Sequence, residues 1–394
     1  MEEKELLFQE VDGLSDRLTA LADDIFDHPE PGLKEERASG QLVELFREEG
    51  FQVETGIAGL PTAFRAVYEQ GSGGPSIGLL CEYDALEHVG HACGHHIQGP
   101  AIFGAAAALK RVCRSQPYRL VVYGTPAEET IGGKILMKER GCFQDIDVAL
   151  MMHPGPTTTT DIKCMALATY EVRFHGTAAH AAMSPEKGRS ALDAVMLMAH
   201  GVECLREHVL EDTRLHYTIL NGGGPSNVVP AEASLELCMR SYNTNYLQTV
   251  TQRVRKIAEG AALMTETQAE IEEKPFFQAK IPVLFLNQLL MDNAALVQAP
   301  TIRPPREKTG STDFGNVMFD VPGSCIRVAF VPEGSSAHSQ TYLDAGKTRE
   351  AHQCNLLAAK ILAATCLDLI ADPQALPRVR EEFQQRKAAL EREG

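Results

Sequence analysis

The chain has 394 residues, 44% of them apolar and 6% aromatic, with a formal net charge of −16. That length exceeds one ordinary core and suits two domains, and the apolar content excludes a disordered chain. The acidic balance repels phosphates and acidic headgroups, which sets aside nucleic acid and membrane surfaces as partners.

Residues 1–50 carry apolar positions at helical spacing, through Leu18, Leu21 and Ile25 and again through Leu42, Leu45 and Phe46. His28-Pro-Glu-Pro-Gly interrupts them. The acidic start, Met1 to Glu10, lacks the basic head, apolar middle and cleavage site of a secretory signal. No apolar run reaches the roughly 18 residues of a membrane span. Both features predict a cytoplasmic protein. Strands are predicted at 62–68 and 76–81, paired through the turn Gly71-Ser-Gly-Gly-Pro, followed by an Ala-rich helix from Gly99 to Arg114. Tyr118 to Gly124 is a short apolar run, the pattern of a strand buried on both faces. A helix at 131–140 and a strand at 147–152 complete an alternation that predicts an α/β domain with a mostly parallel sheet.

Beyond residue 165 the pattern reads strand 168–174, helix 190–210, strands 214–220 and 231–241, helix 246–264 and strand 266–273. The order βαββαβ suits a ferredoxin-like domain with one exposed sheet face. The chain then returns to the first domain with helix 286–298, strand 325–331 and a helix from 347 to about 370, followed by a charged helical tail. The expected layout is therefore a catalytic domain, 1–165 and 278–394, with a second domain, 166–277, inserted into it. The ten cysteines form no CxxC pair, so a zinc ribbon is not indicated, and in a reducing compartment most are small buried hydrophobes.

Four clusters of chemically capable residues stand at predicted strand ends, where α/β sheets collect ligands. The first is Glu82-Tyr-Asp84 with His91-Ala-Cys93-Gly-His95-His96. Thiolate and imidazole bind borderline-soft divalent metals, Gly94 permits a tight backbone, and Asp84 could hold the second ring nitrogen of a ligand histidine. The second is Gly124-Thr-Pro-Ala-Glu128-Glu129. One of two adjacent carboxylates could bind metal while the other takes a proton from a metal-activated water. The third and fourth are Met151-Met-His153-Pro154 and Ser335-Ser-Ala-His338-Ser339. Each cluster taken alone reads as well as a structural loop, a helix first turn or a core histidine. Together, Cys93, His95, Glu129, His153 and His338 give five ligands, more than the four of a single ion and suited to two ions sharing a bridge.

The inserted domain adds His175-Gly-Thr-Ala-Ala-His180, Asn221-Gly-Gly-Gly-Pro-Ser-Asn227 and Arg240. His180 could donate to the oxyanion of a tetrahedral intermediate, and Asn227 to the same oxygen or to substrate. Arg240, ending an alternating strand, suits a carboxylate or a surface ion pair. The Gly-rich loop lacks the following helix and Lys of a phosphate cradle.

The tracts His28-Pro-Glu, Tyr83-Asp-Ala-Leu, His91-Ala-Cys-Gly-His, Gly124-Thr-Pro-Ala-Glu-Glu, Met152-His-Pro, His175-Gly-Thr-Ala-Ala-His, Asn227-Val-Val-Pro and Gly310-Ser-Thr-Asp-Phe run in one order along the chain. In them the chain resembles the zinc aminoacylase and glutamate carboxypeptidase family of metallopeptidases. The match is to its amidohydrolase branch, with hippurate hydrolase, indole-acetyl-amino acid hydrolases and p-aminobenzoyl-glutamate hydrolase. Leu60-Pro-Thr-Ala-Phe-Arg-Ala, Cys81-Glu-Tyr-Asp-Ala-Leu and Gly310-Ser-Thr-Asp-Phe-Gly-Asn look closest to the sub-branch acting on β-alanyl-lysine-type and Xaa-Arg dipeptides.

The resemblance implies a two-domain di-metal peptidase whose inserted lid domain dimerises. It implies two divalent ions per subunit, zinc first, with manganese or cobalt also compatible. Cys93 becomes the bridging ligand, with His95, Glu129, His153 and His338 completing the sites and Glu128 the general base. His180 becomes the lid histidine that reaches the active site of the other protomer, which implies a homodimer, and Arg240 the carboxylate anchor. Ser311 and Thr312, in the last of those tracts, join Asn227 as substrate contacts. Two departures bear on substrate preference. His96 stands where the branch often has Asp, and Ser339-Gln340 where it often has Ser-Pro. The expected activity is hydrolysis of the amide bond of a dipeptide or N-acyl amino acid with a free carboxylate. A p-aminobenzoyl-glutamate hydrolase and a catalytically silent regulatory subunit stand as the alternatives.

Overall fold

The computed structural model describes residues 2–307 and 309–393. The chain divides into two compact units, Met1–Lys163 with Lys280–Ala388, and Cys164–Ala279 with Ala389–Gly394.

The first unit opens with helices α1 Glu2–Gly13, α2 Ser15–Asp27 and α3 Glu36–Glu48. Strands β1 Gln52–Thr55, β2 Phe64–Gln70 and β3 Ser76–Cys81 follow, then α4 Gln98–Val112, β4 Tyr118–Gly124, α5 Gly133–Glu139, β5 Val148–Gly155 and β6 Thr159–Thr160. The seven-stranded sheet has the order β1-β2-β4-β3-β5-β11-β6, where β11 is Gly323–Ala329 from the distant segment. β4, β3, β5 and β11 pair in parallel at its centre, and β1, β2 and β6 are antiparallel at its margins. The sheet is therefore mixed rather than mostly parallel.

The expected hairpin between 62–68 and 76–81 does not form. β4 lies between β2 and β3, pairing Phe64–Gln70 on one side and Ser76–Cys81 on the other. The four central strands are apolar on both faces because α4 covers one side and the Leu80, Tyr123, Met151 and Phe314 cluster fills the other.

The second unit runs β7 Ala166–His175, α6 Ala191–Arg206, β8 Arg214–Asn221, β9 Glu232–Ser241, α7 Thr244–Thr265 and β10 Gln268–Glu273. Its antiparallel sheet has the order β10-β7-β9-β8, a ferredoxin-like arrangement. Alternate residues of β7 and β9, including Val172, Phe174, Leu235, Leu237 and Met239, pack on α6 and α7, while the other sheet face stays open. Ser190 caps α6 and Asn243 caps α7 by accepting backbone N–H groups.

The chain then adds α8 Leu284–Leu296, α9 Phe314–Met318, β11, α10 Gln340–Ala345, α11 Arg349–Ala371 and α12 Ala375–Glu393. By length and composition α11 could cross a membrane, yet 72% of its most apolar window is buried, against α1, α4 and α8. It is a core helix of the first unit.

Candidate metal centre and active site

Four parallel strands deliver their carboxyl ends to one edge of the sheet, and a candidate ligand or acid follows each. β3 leads into Glu82 and Asp84, β4 into Glu128 and Glu129, β5 carries His153, and β11 leads toward His338. Gly94, at φ 86°, turns the chain between Cys93 and His95. A Cβ there would lie 3.1 Å from Pro154, so any other residue would be strained in its backbone and would crowd β5.

The structure brings the five predicted ligands together as two overlapping groups. Cys93, His95 and His153 form one, Cys93, Glu129 and His338 the other, with ligand atoms within 4.8 Å in each. Cys93 belongs to both. Its Sγ lies 3.6 Å from His153 Nε2, and His338 Nε2 lies 3.1 Å from Glu129 Oε1.

The imidazole tautomers follow from their outer contacts. His95 Nδ1 lies 3.0 Å from the Asp84 carbonyl and 3.1 Å from Asp84 Oδ1, so it carries the proton. His153 Nδ1 donates to the Pro154 carbonyl over 2.7 Å. Both Nε2 lone pairs are left for a Lewis acid. His95 Nε2 is buried and makes no hydrogen bond among the described residues, with Glu82 Oε2 3.3 Å away. Burial pushes the Cys93 thiol up to about 12, so a thiolate there calls for a cation. An orphaned imidazole nitrogen, a shared thiol and a mixed sulfur, nitrogen and oxygen set fit two divalent ions. The Asp84 carboxylate joins the groups, since its Oδ2 accepts the Glu129 backbone N–H over 2.9 Å.

Behind Glu128 lies a buried ionic network that sequence reasoning missed. Glu82, Glu128 and Asp313 converge within 4.8 Å, and Lys134 enters from the first turn of α5. Its ammonium donates to Glu82 over 2.6 Å and to Asp313 over 2.8 Å, with all three side chains buried. Burial, with Glu82 and Asp313 close by, pushes the Glu128 carboxyl well up, toward a group that can carry a proton. Asp313 directly follows Ser311 and Thr312, the pair singled out from sequence. Both precede α9, where Thr312 Oγ1 accepts the Phe314 N–H over 3.3 Å.

His96 is buried against Phe26 and donates from Nε2 to the Gly346 carbonyl over 2.8 Å. It helps pack the first unit instead of facing the ligand groups.

His180, Asn227 and Arg240 belong to the second unit. His180 and Val228 form an antiparallel bridge, so the His180 and Asn227 loops run side by side. His180 Nδ1 accepts the backbone N–H groups of Ala182 and Met183 over 3.2 Å each, leaving Nε2 as the protonated donor. Arg240 sits half-buried near the end of β9, opposite Leu167 and Arg214.

A model of the peptidase dimerisation domain matches residues 165–265. The mouse protein named Xaa-Arg dipeptidase is 34% identical, covering 95% of this chain and 90% of its own length. One of the Escherichia coli p-aminobenzoyl-glutamate hydrolase subunits is also 34% identical, over 94% of this chain and 92% of its own. The fold matches a Klebsiella pneumoniae aminobenzoyl-glutamate utilization protein at TM-score 0.74 and 22% identity, covering 92% of this chain and 98% of that one. It also matches a Bacillus subtilis dinuclear metal binding peptidase from the M20 family at TM-score 0.70 and 20% identity, covering 91% and 99%. The chain belongs to the M20 peptidase family, and its catalytic class is that of a metal-dependent amidohydrolase.

Proposed function

We propose that this chain hydrolyses the amide bond of a dipeptide or N-acyl amino acid that ends in a free carboxylate. The observation that carries the reading is the sharing of Cys93 by two ligand groups, with Glu128 beside them at the end of β4. Cys93, His95, Glu129, His153 and His338 would hold two divalent ions, zinc first, which polarise the scissile carbonyl and acidify water. Glu128 takes the proton from the attacking water and delivers it to the leaving nitrogen. Asp84 fixes the His95 ring and the Glu129 backbone. His180 offers its Nε2–H to the developing oxyanion, Arg240 takes the substrate carboxylate, and Asn227, Ser311 and Thr312 contact substrate. The mouse relative's name favours a basic leaving residue and the bacterial relative's name favours p-aminobenzoyl-glutamate. We place the protein in the cytoplasm, where its ten free cysteines suit a reducing medium, as a homodimer through the second unit.

The test is hydrolysis of β-alanyl-lysine, an Xaa-Arg dipeptide, hippurate and p-aminobenzoyl-glutamate by chelated protein with zinc, manganese or cobalt returned. Metal-restored cleavage of one member supports the reading and names the leaving group. Stoichiometric metal binding without cleavage of any member overturns it in favour of a silent regulatory chain.

A further inference from the structure

The loop between α2 and α3 carries no predicted catalytic or ligand residue, yet it reaches both carboxylate loops. The Ala85 N–H donates to the Glu30 carbonyl over 2.8 Å, and Pro31 and Ala85 form a parallel bridge. Gly32 lies so close to the 127–130 turn that a Cβ would sit 2.4 Å from Thr130 Oγ1 and 3.0 Å from Ala127 Cα. Glu35, completely buried, ends the loop. Its Oε1 accepts the Ala127 N–H over 2.8 Å, and its Oε2 accepts the Thr62 hydroxyl over 2.8 Å.

Ala127 is the residue before Glu128, and its φ is +61°. Alanine enters that left-handed region only when its surroundings impose it. The Glu35 carboxylate holds its N–H, and its carbonyl accepts the Gly132 N–H at 2.9 Å and, more weakly, the Thr130 and Gly133 N–H groups at 3.4 Å. On the far side of Glu128, Asp84 Oδ2 holds the Glu129 N–H. The backbone carrying Glu128 is thus gripped by one carboxylate before it and another after it. Rotation about Ala127 is the motion that would swing Glu128 away from the ligand groups.

We propose that Glu35 is a positioning residue for the general base, acting through the left-handed backbone of Ala127. The proposal rests on the assignment of Glu128 made above. Three variants separate positioning from mere structure. Gln in place of Glu35 keeps an acceptor for Ala127, and Thr62 can turn its hydroxyl to accept from the new amide. Ala removes the hold. Ala127→Gly on the Glu35→Ala background restores access to positive φ without a Cβ.

For Glu35→Ala we expect kcat to fall about 30-fold or more, with KM and metal content within about twofold of wild type, the scale of an ångström-sized misplacement. Glu35→Gln should keep kcat within about threefold, and the double variant should recover about tenfold over Glu35→Ala. Hydrogen exchange in the metal-free protein should accelerate across residues 125–132 in Glu35→Ala and not in Glu35→Gln. If Glu35→Ala does not fold, Glu35→Asp, too short to reach both Thr62 and Ala127, carries the same comparison. Unchanged kcat, unchanged exchange, or loss of metal in step with kcat overturns the proposal. A wild type that cleaves no member of the substrate panel sinks the functional reading instead, and the exchange comparison still decides whether Glu35 holds the turn.

Discussion

Lys134 donates to Asp313 over 2.8 Å at a point where neither side chain meets solvent. Burial alone would lower the lysine's affinity for its proton, but Asp313 and Glu82 overcome it and hold the ammonium charged. Lys134→Met leaves two carboxylates buried without their cation, beside Glu128. The expected loss is ~3–5 kcal/mol of folding stability in the metal-free protein, by urea melts. A loss below ~1 kcal/mol would show that the carboxylates take up protons and need no lysine.

Glu128→Gln keeps the shape of the side chain and removes its basicity. Turnover should fall about 10²–10⁴-fold while the two ions and KM are kept. Metal content by elemental analysis, beside kcat on the best substrate, checks this. Retained turnover would move the base elsewhere.

Because Cys93 is common to both ligand groups, its loss should not behave like the loss of an unshared ligand. Cys93→Ala should empty both positions, whereas His338→Ala should empty about one. A Cys93→Ala protein that still holds two ions would rule out the shared thiolate.

Glu35 also makes stability depend on pH. Burial raises its carboxyl from an ordinary 4.5 to about 6. A raised acid binds its proton more tightly folded than unfolded, so its contribution is greatest below 4.5 and is lost as pH rises through 6. The rise corresponds to ~2 kcal/mol. Relative to wild type, metal-free Glu35→Gln should therefore gain ~2 kcal/mol between pH 4.5 and 7.5. Chemical melts across that range check it, and a difference that stays flat or shrinks would contradict it.

Asp161 faces three cations. Its carboxylate lies 3.1 Å from Lys280 Nζ, 2.7 Å from Arg306 Nε and 3.7 Å from Arg327 Nε. Burial alone would raise its pKa, and the three charges hold it well below the usual carboxylate range. Asp161→Asn should cost ~3–5 kcal/mol in urea melts. A cost below ~1 kcal/mol would show the cations satisfied by other groups.

Part of the candidate site was legible because two apolar strands end on chemistry. Tyr118–Gly124 leads to Glu128 and the candidate ligand Glu129, and Val148–Met152 leads to the candidate ligand His153. The groups that support them were not. Glu35 stands in the run Lys34-Glu-Glu-Arg, which reads as a solvated helix start, yet it is wholly buried. Lys134 reads as an exposed first-turn lysine, and only the fold brings Asp313 to it across 179 residues. The missed interleaving of β4 has the same cause. A Gly-rich turn signals a hairpin locally, while strand neighbours are chosen by packing far along the chain.

β11 sits beside β5, although 167 residues of chain separate the end of one from the start of the other. On a ribosome, a chain that has emerged as far as Ala279 has every strand of the second unit but lacks the partner that closes β5. The second unit is free to fold first, and the sheet edge carrying His153 waits bare until β11 arrives. In that interval the nascent chain presents an apolar strand with one open edge, so synthesis itself is the stage at which this fold most needs protection from aggregation.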